Sequence, residues 1–238
     1  MRVVGAMKAI RKINFNWLIL KLQNDFFSGI LPQLKGVVVD LGCGPMPYRK
    51  EILEQRCKYI GVDWPNSCHG VEPDIASDLN VRVDLPDDYA NNVLSISVLE
   101  HLYRPQTMLL ESFRILKPNG YLFIQVPFQW HVHEAPFDYF RFTHHGLEKL
   151  LVEAGFEEIE ITANSGFWVT WILKFNYQST RWIRGPKPLR WLARLVLTPI
   201  WFLDQTFAPI LDRLDFNPGE AASYTAVARK PSSPNGAV

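Results

Sequence analysis

The chain predicts an α/β fold in which a doubly wound, mainly parallel sheet carries helices on both faces. Val37-Val38-Val39-Asp40-Leu41 is a β-branched run closed by Gly42-Cys43-Gly44, as expected of a buried parallel strand that runs into a tight loop. Tyr59-Ile60-Gly61-Val62 repeats the pattern and ends on Asp63, nineteen residues past Gly44. Strand-like runs then alternate with helical stretches as far as residue 163. Such alternation specifies a parallel sheet covered by helices.

Taken in order, the pattern places strands at 36–41, 59–63, 74–78, 93–98, 120–127 and 156–163, with helices near 48–56, 105–116 and 143–154. Ahead of the first strand, Ile10, Ile13, Trp17, Leu18, Leu20 and Leu22 broadly fit one helical face, so a lid or packing helix is expected from about Lys8 to Phe27. The last strand, 224–229, arrives only after some sixty residues that break the alternation.

Glycines at the carboxyl end of a first strand let the backbone approach a ligand, and an acid about 20 residues on is placed to hold a ribose diol. A dinucleotide is disfavoured. Its fingerprint needs a third glycine opening the helix, whereas Gly44 is followed by Pro45-Met46-Pro47. A nucleotide-dependent oxidoreductase using NAD is therefore the weaker reading.

The string Asp40-Leu41-Gly42-Cys43-Gly44-Pro45 resembles motif I of class I methyltransferases that use S-adenosylmethionine. Val98-Leu99-Glu100-His101 is similar to the ending of that family's fourth strand. Arg114-Ile115-Leu116-Lys117-Pro118-Asn119-Gly120 is similar to its turn into strand five, with Asn119 in place of a glycine. Asparagine also tolerates the left-handed backbone such a turn needs. The resemblance covers about 36–160 and 223–230. It implies a seven-stranded Rossmann-like sheet whose last strand is antiparallel, and S-adenosyl-L-methionine as cofactor.

On the matched positions, the resemblance implies that Asp40 and the Gly42 and Gly44 backbone flank the methionine part of the cofactor. Asp63 would hold the ribose hydroxyls, Trp64 would cover the adenine, and Asp78 with the Leu79 amide would meet the adenine edge. Asp84 competes with Asp78 for that role. Ser97 and Val98 border the cofactor by position. Asn92 stands where relatives often carry an aspartate of structural use.

The acceptor side falls in Trp130-His131-Val132-His133-Glu134-Ala135-Pro136-Phe137-Asp138-Tyr139-Phe140-Arg141, which follows strand five and so lies on the ligand-binding rim. It resembles a segment of a methyltransferase subgroup linked to glycan and natural-product pathways. His133, His131 and His101 are the candidate general bases, because a neutral imidazole takes a proton near pH 7. A loop-ordering hydrogen bond is the plainer reading of each. Asp138 and Arg141, three apart, are expected to pair. His131, His133 and Glu134 could ligate a metal, but no third ligand is legible and displacement at a sulfonium needs no metal, so none is expected.

A net charge of +1 and a pI near 7.7 give no nucleic-acid signature. Three cysteines, 43, 57 and 68, lack metal-ligand spacing and fit reduced thiols. No apolar run approaches the roughly 18 to 20 residues of a membrane span, and no signal peptide is read. Between 167 and 203, however, there are five tryptophans, six basic residues and no acid. That composition suits anionic lipid headgroups; ordinary packing or a homodimer interface are the plainer alternatives.

The expected organisation is an N-terminal helical lid over 1–35, a methyltransferase domain over 36–166 and 222–230, a Trp-rich basic insertion over 167–221, and a flexible tail over 231–238. The expected function is methyl transfer to a hydroxyl of a small molecule, sugar or lipid-linked intermediate by a cytoplasmic protein, peripheral on the membrane if the insertion touches lipid. A non-catalytic, cofactor-binding scaffold is the alternative.

Overall fold

The computed structural model describes residues 11–65 and 71–232. The first ten residues, Cys68 and most of the expected tail lie outside them. Seven strands form one sheet in the order β3-β2-β1-β4-β5-β7-β6. The strands are β1 (Val37–Leu41), β2 (Lys58–Asp63), β3 (Ile75–Ala76), β4 (Ala90–Ile96), β5 (Leu116–Pro127), β6 (Glu157–Ala163) and β7 (Ser223–Arg229). β7 lies between β5 and β6 and is antiparallel to both, while the other neighbours pair in parallel. Successive strands run outward in opposite directions from the β1–β4 pair, so the crevice at the carboxyl ends of those two strands is the ligand position of an open α/β sheet.

One sheet face, with Val39, Leu41, Val62 and Val93, is covered by α3 (Pro105–Ile115) and α4 (His144–Glu153). On the opposite face Val38, Tyr59, Leu94 and Phe123 pack against α1 (Trp17–Ile30) and α2 (Arg49–Glu54). Each fully buried branched side chain contributes about 1.5 to 3 kcal/mol. The alternation of Val38 and Val39 between the two faces follows from the period of two along a strand.

The residues expected to form an insertion build a helical hairpin, α5 (Phe167–Thr180) and α6 (Lys187–Leu214). Val169, Ile172 and Leu173 of α5 and Ala208 of α6 share a buried cluster with Leu18 of α1. Asp212 near the end of α6 accepts from the Gly166, Trp168 and Val169 amides at 2.6, 2.9 and 3.3 Å, satisfying the otherwise unpaired donors that open α5.

The N-terminal helix starts at Trp17 and ends at Ile30, later at both ends than the apolar spacing suggests. Gln205 of α6 accounts for the late start. Its Nε2 donates to the Lys12 and Asn14 carbonyls at 2.9 and 3.0 Å, holding that segment out of the helix, and its Oε1 accepts from the Leu18 amide at 3.1 Å.

Candidate active site

The glycine loop sits where β1 meets β4. Gly42 and Gly44 take positive φ, 75° and 50°. The Gly42 and Cys43 amides donate to the Val62 carbonyl at 2.8 and 3.1 Å, hooking the loop onto β2. Asp63 completes the hook: its Oδ2 accepts from the Gly44 amide and its Oδ1 from the Trp64 amide, both at 2.6 Å. A carboxylate has about four lone-pair sites, so two remain for a diol. Trp64 is half exposed and meets Phe137 edge-on, with centroids 5.4 Å apart.

Asp40 is buried and accepts from the Tyr59 hydroxyl at 2.7 Å. Burial pushes its pKa up to about 7 against the relief of that hydrogen bond, and the Asp63 charge adds to the rise. Asp78 follows β3 and closes an Asx turn, accepting from both nitrogens of Asn80 at 2.9 Å. Leu79 beside it is buried, whereas Asp84 is exposed. Ser97 has φ 56°, donates its amide to the Gln125 carbonyl at 2.9 Å, and accepts on Oγ from Gln23 of α1 at 3.4 Å. Gln23 thus brings α1 to the rim of the crevice, a contact that local sequence does not signal.

This set suits a cationic nucleoside: close backbone approach at the two glycines, carboxylates at Asp40 and Asp63, and an exposed indole face. An open groove between α1 and the β6–β7 edge, lined by Phe26, Ile30, Glu160 and Asn164, holds none of these residues.

A second cluster forms on the same edge. A short 3-10 turn after β4, Leu99–His101, delivers Glu100 and His101, and the loop after β5 delivers His133. Glu100 is fully buried and neither carboxylate oxygen has a hydrogen-bond partner. Burial raises its pKa to about 8. The Nε2 atoms of His101 and His133 lie 3.7 and 3.9 Å from Glu100 Oε1. Desolvation holds His133 below the ordinary imidazole range, so its contact is not an ion pair near neutral pH.

Asp138 and Arg141 pair as expected, with contacts of 2.6 and 2.7 Å to the two oxygens. The guanidinium keeps Asp138 well below the usual carboxylate range. Arg141 also donates to the Trp130 and His131 carbonyls, which fixes the loop around His133.

The H-x-H spacing does not bring its two imidazoles to one point. His131 packs against Trp130 and Tyr177, with centroids 4.7 and 5.0 Å away, while His133 joins His101. The sequence reading placed Glu100 in the motif that ends the fourth strand but gave it no role. Its signal was the acid beside His101 at the end of β4.

The family model described as a methyltransferase domain matches residues 19–161. No curated protein matches the sequence significantly. Among solved structures, the chain resembles a SAM-dependent methyltransferase of Archaeoglobus fulgidus (19% identity, TM-score 0.56, covering 90% of this chain and 94% of the other). It also resembles phosphoethanolamine N-methyltransferase 2 of Haemonchus contortus in complex with S-adenosyl-L-methionine (15% identity, TM-score 0.57), covering 91% of this chain but 56% of that longer one. The [4+2]-cyclase SpnF is comparable (16% identity, TM-score 0.56, covering 88% and 82%). These likenesses show the fold, which hosts more than one chemistry. With the family model spanning more than half of the sequence, the chain belongs to the class I S-adenosylmethionine-dependent methyltransferases.

Proposed function

We propose that the protein moves the methyl group of S-adenosylmethionine to a hydroxyl of a small molecule, sugar or lipid-linked intermediate. The observation that carries this reading is the shared sheet edge, where Trp64 beside Asp63 meets Phe137, whose carbonyl pairs with His101 of the cluster formed by buried Glu100 and part-buried His101 and His133. The cofactor supplies an electrophilic methyl carbon. Asp63 holds its ribose through two unused lone-pair sites, Trp64 covers its adenine, Asp78 and Leu79 meet the adenine edge, and Asp40 faces the cationic amino-acid end. Ser97 and the Gln23 contact close the rim.

Displacement at a sulfonium needs alignment, exclusion of water and, for a hydroxyl, removal of one proton. Proton removal falls to the Glu100–His101–His133 cluster. His131, turned towards Trp130 and Tyr177, shapes the loop instead.

Calorimetric titration with S-adenosylmethionine, and with NAD in parallel, tests the cofactor assignment. Asp63→Ala should weaken S-adenosylmethionine binding by about 1.5 to 3 kcal/mol, the loss of hydrogen bonds to a charged group. Unchanged affinity would remove Asp63 from the site.

The α6 surface supports a membrane-proximal acceptor. Trp191, Leu192, Leu195, Val196 and Leu203 are exposed along it, flanked by Lys187, Arg190 and Arg194, an amphipathic arrangement suited to the face of an anionic bilayer. No helix among the described residues is long and apolar enough to cross a membrane. The protein should therefore sediment with phosphatidylserine vesicles and not with phosphatidylcholine alone. Replacing Leu192, Leu195 and Leu203 together by Ser should abolish sedimentation while lowering the melting temperature only slightly, because all three are about half exposed and serine is the weaker helix former. A wild-type protein that never sediments and instead dimerises would assign this face to a second copy.

A further inference from the structure

We infer that Glu100, His101 and His133 form a binding site for a divalent transition-metal ion at the acceptor end of the crevice. This rests on reading the cluster as the place where the acceptor loses its proton, and it names what performs that task.

Convergence carries the inference: one ligating atom from each of the three residues lies within 4.8 Å of the other two. His101 Nδ1 lies 2.7 Å from the Phe137 carbonyl, which can only accept. That ring therefore bears its hydrogen on Nδ1 and a lone pair on Nε2. His133 Nδ1 lies between Asp138 Oδ2 at 3.3 Å and the Arg141 Nη2 donor at 3.4 Å, which holds the ring in place without fixing which nitrogen bears its hydrogen.

Both Nε2 atoms face the same oxygen of Glu100, at 3.7 and 3.9 Å. They face a carboxyl group that is fully buried and has neither oxygen paired by a side-chain hydrogen bond. A cation held among the three would supply the partner that those oxygens lack.

A metal ion fits. The two histidine–Glu100 spacings are a few tenths of an ångström wider than about 3.4 Å, the edge of a tetrahedron with metal–ligand distances of about 2.1 Å, and all three ligand atoms lie within 4.8 Å of one another. Two imidazoles and one carboxylate are a borderline donor set, suited to zinc or its neighbours. The Phe137 carbonyl and the Arg141-paired Asp138 carboxylate are the outer contacts that orient ligating histidines. Glu134 Oε2, 3.9 Å from His101 Nε2 and half exposed, borders the site on the solvent side.

The three ligands leave a coordination position for an acceptor hydroxyl. The ion lowers that hydroxyl's pKa, the proton passes to Glu134 or water, and the oxygen forms a bond to the methyl carbon. The methyl–sulfur bond breaks with its electron pair staying on sulfur. An acceptor with a second oxygen beside the hydroxyl, such as a vicinal diol, would bind by both.

The test reads metal rather than activity. Purified protein analysed by plasma emission should carry about one zinc-like ion per chain, and the stripped protein should take up Co2+ with the visible absorption of a histidine-ligated site. His133→Ala and Glu100→Gln should lose that ion while keeping calorimetric affinity for S-adenosylmethionine, which shows that they fold. His145→Ala, in the separate His144, His145 and Glu148 group, should retain it. No metal on isolation and no uptake of micromolar Zn2+ or Co2+ would overturn the site, as would full metal content in His133→Ala. If S-adenosylmethionine binds and no metal does, the metal site falls and the methyltransfer reading stands; if metal binds and S-adenosylmethionine does not, the reverse holds.

Discussion

Gly42→Ala should destabilise the protein by about 2 to 6 kcal/mol and abolish binding of S-adenosylmethionine. The backbone at Gly42 has φ 75°, where a non-glycine residue costs about 1 to 3 kcal/mol. An added Cβ would also stand 2.3 and 2.5 Å from the two γ-methyls of Val98. Val98 cannot swing aside freely, because a β-branched side chain is stiff at χ1 and the following Leu99 and Glu100 are fully buried. Overpacking of this kind costs about 1 to 3 kcal/mol more. The loop would have to move off the Val62 carbonyl and take the Gly44 amide away from Asp63. Urea denaturation reads the first effect as a lower midpoint with unchanged slope, and calorimetry reads the second. Gly29→Ala is the control, with no heavy atom within 4 Å of its added Cβ and an exposed position near the end of α1; its midpoint should stay or rise slightly. Equal midpoints for wild type and Gly42→Ala would mean that the loop has slack the structure does not show.

The residues of the glycine loop were legible because their chemistry is local. Positive φ, a β-branched strand before it and an acid at the end of the next strand all lie within 27 residues, from Val37 to Asp63. The turn at Asn119, with φ 64°, was readable for the same reason. Features decided by distant side chains were not. α1 starts where Gln205 lets it start, and α5 is opened by Asp212, each supplied by a helix far along the chain. α6 itself was hidden by Pro199 and Pro209, which normally stop a helix but here lie within one of 28 residues.

The histidines show the same division. His131 and His133 are two apart, and an extended segment would send both rings to one side. Tyr177 of α5 provides His131 with a separate partner, so only His133 reaches Glu100. The role of Glu100 went unread because burial, not identity, makes it unusual. An acid beside a histidine is unremarkable until both of its oxygens are sealed from water without a donor.

Asp40 should give S-adenosylmethionine binding a pH dependence opposite in sign to its effect on stability. In the free protein its carboxyl titrates near pH 7 because burial outweighs the Tyr59 hydrogen bond, against 3.8 for the ordinary value. Between those two pH values the folded chain holds a proton that the unfolded chain does not. Asp40 therefore makes stability fall as pH rises from about 4 to about 7. A cationic cofactor reverses the preference, since its positive end favours the ionised carboxylate. Binding then expels the proton, and affinity should weaken as pH falls below about 7, by up to about tenfold per unit, and level off above it. Asp40→Asn should flatten its share of both curves, leaving any slope from Glu100, whose pKa is also raised by burial. Calorimetry between pH 5.5 and 7 in buffers of different ionisation enthalpy counts the released proton directly. A wild-type protein that binds S-adenosylmethionine with equal affinity across that range, and releases no proton, would place the cofactor's charged end away from Asp40 and leave that buried carboxyl a partner of Tyr59 alone.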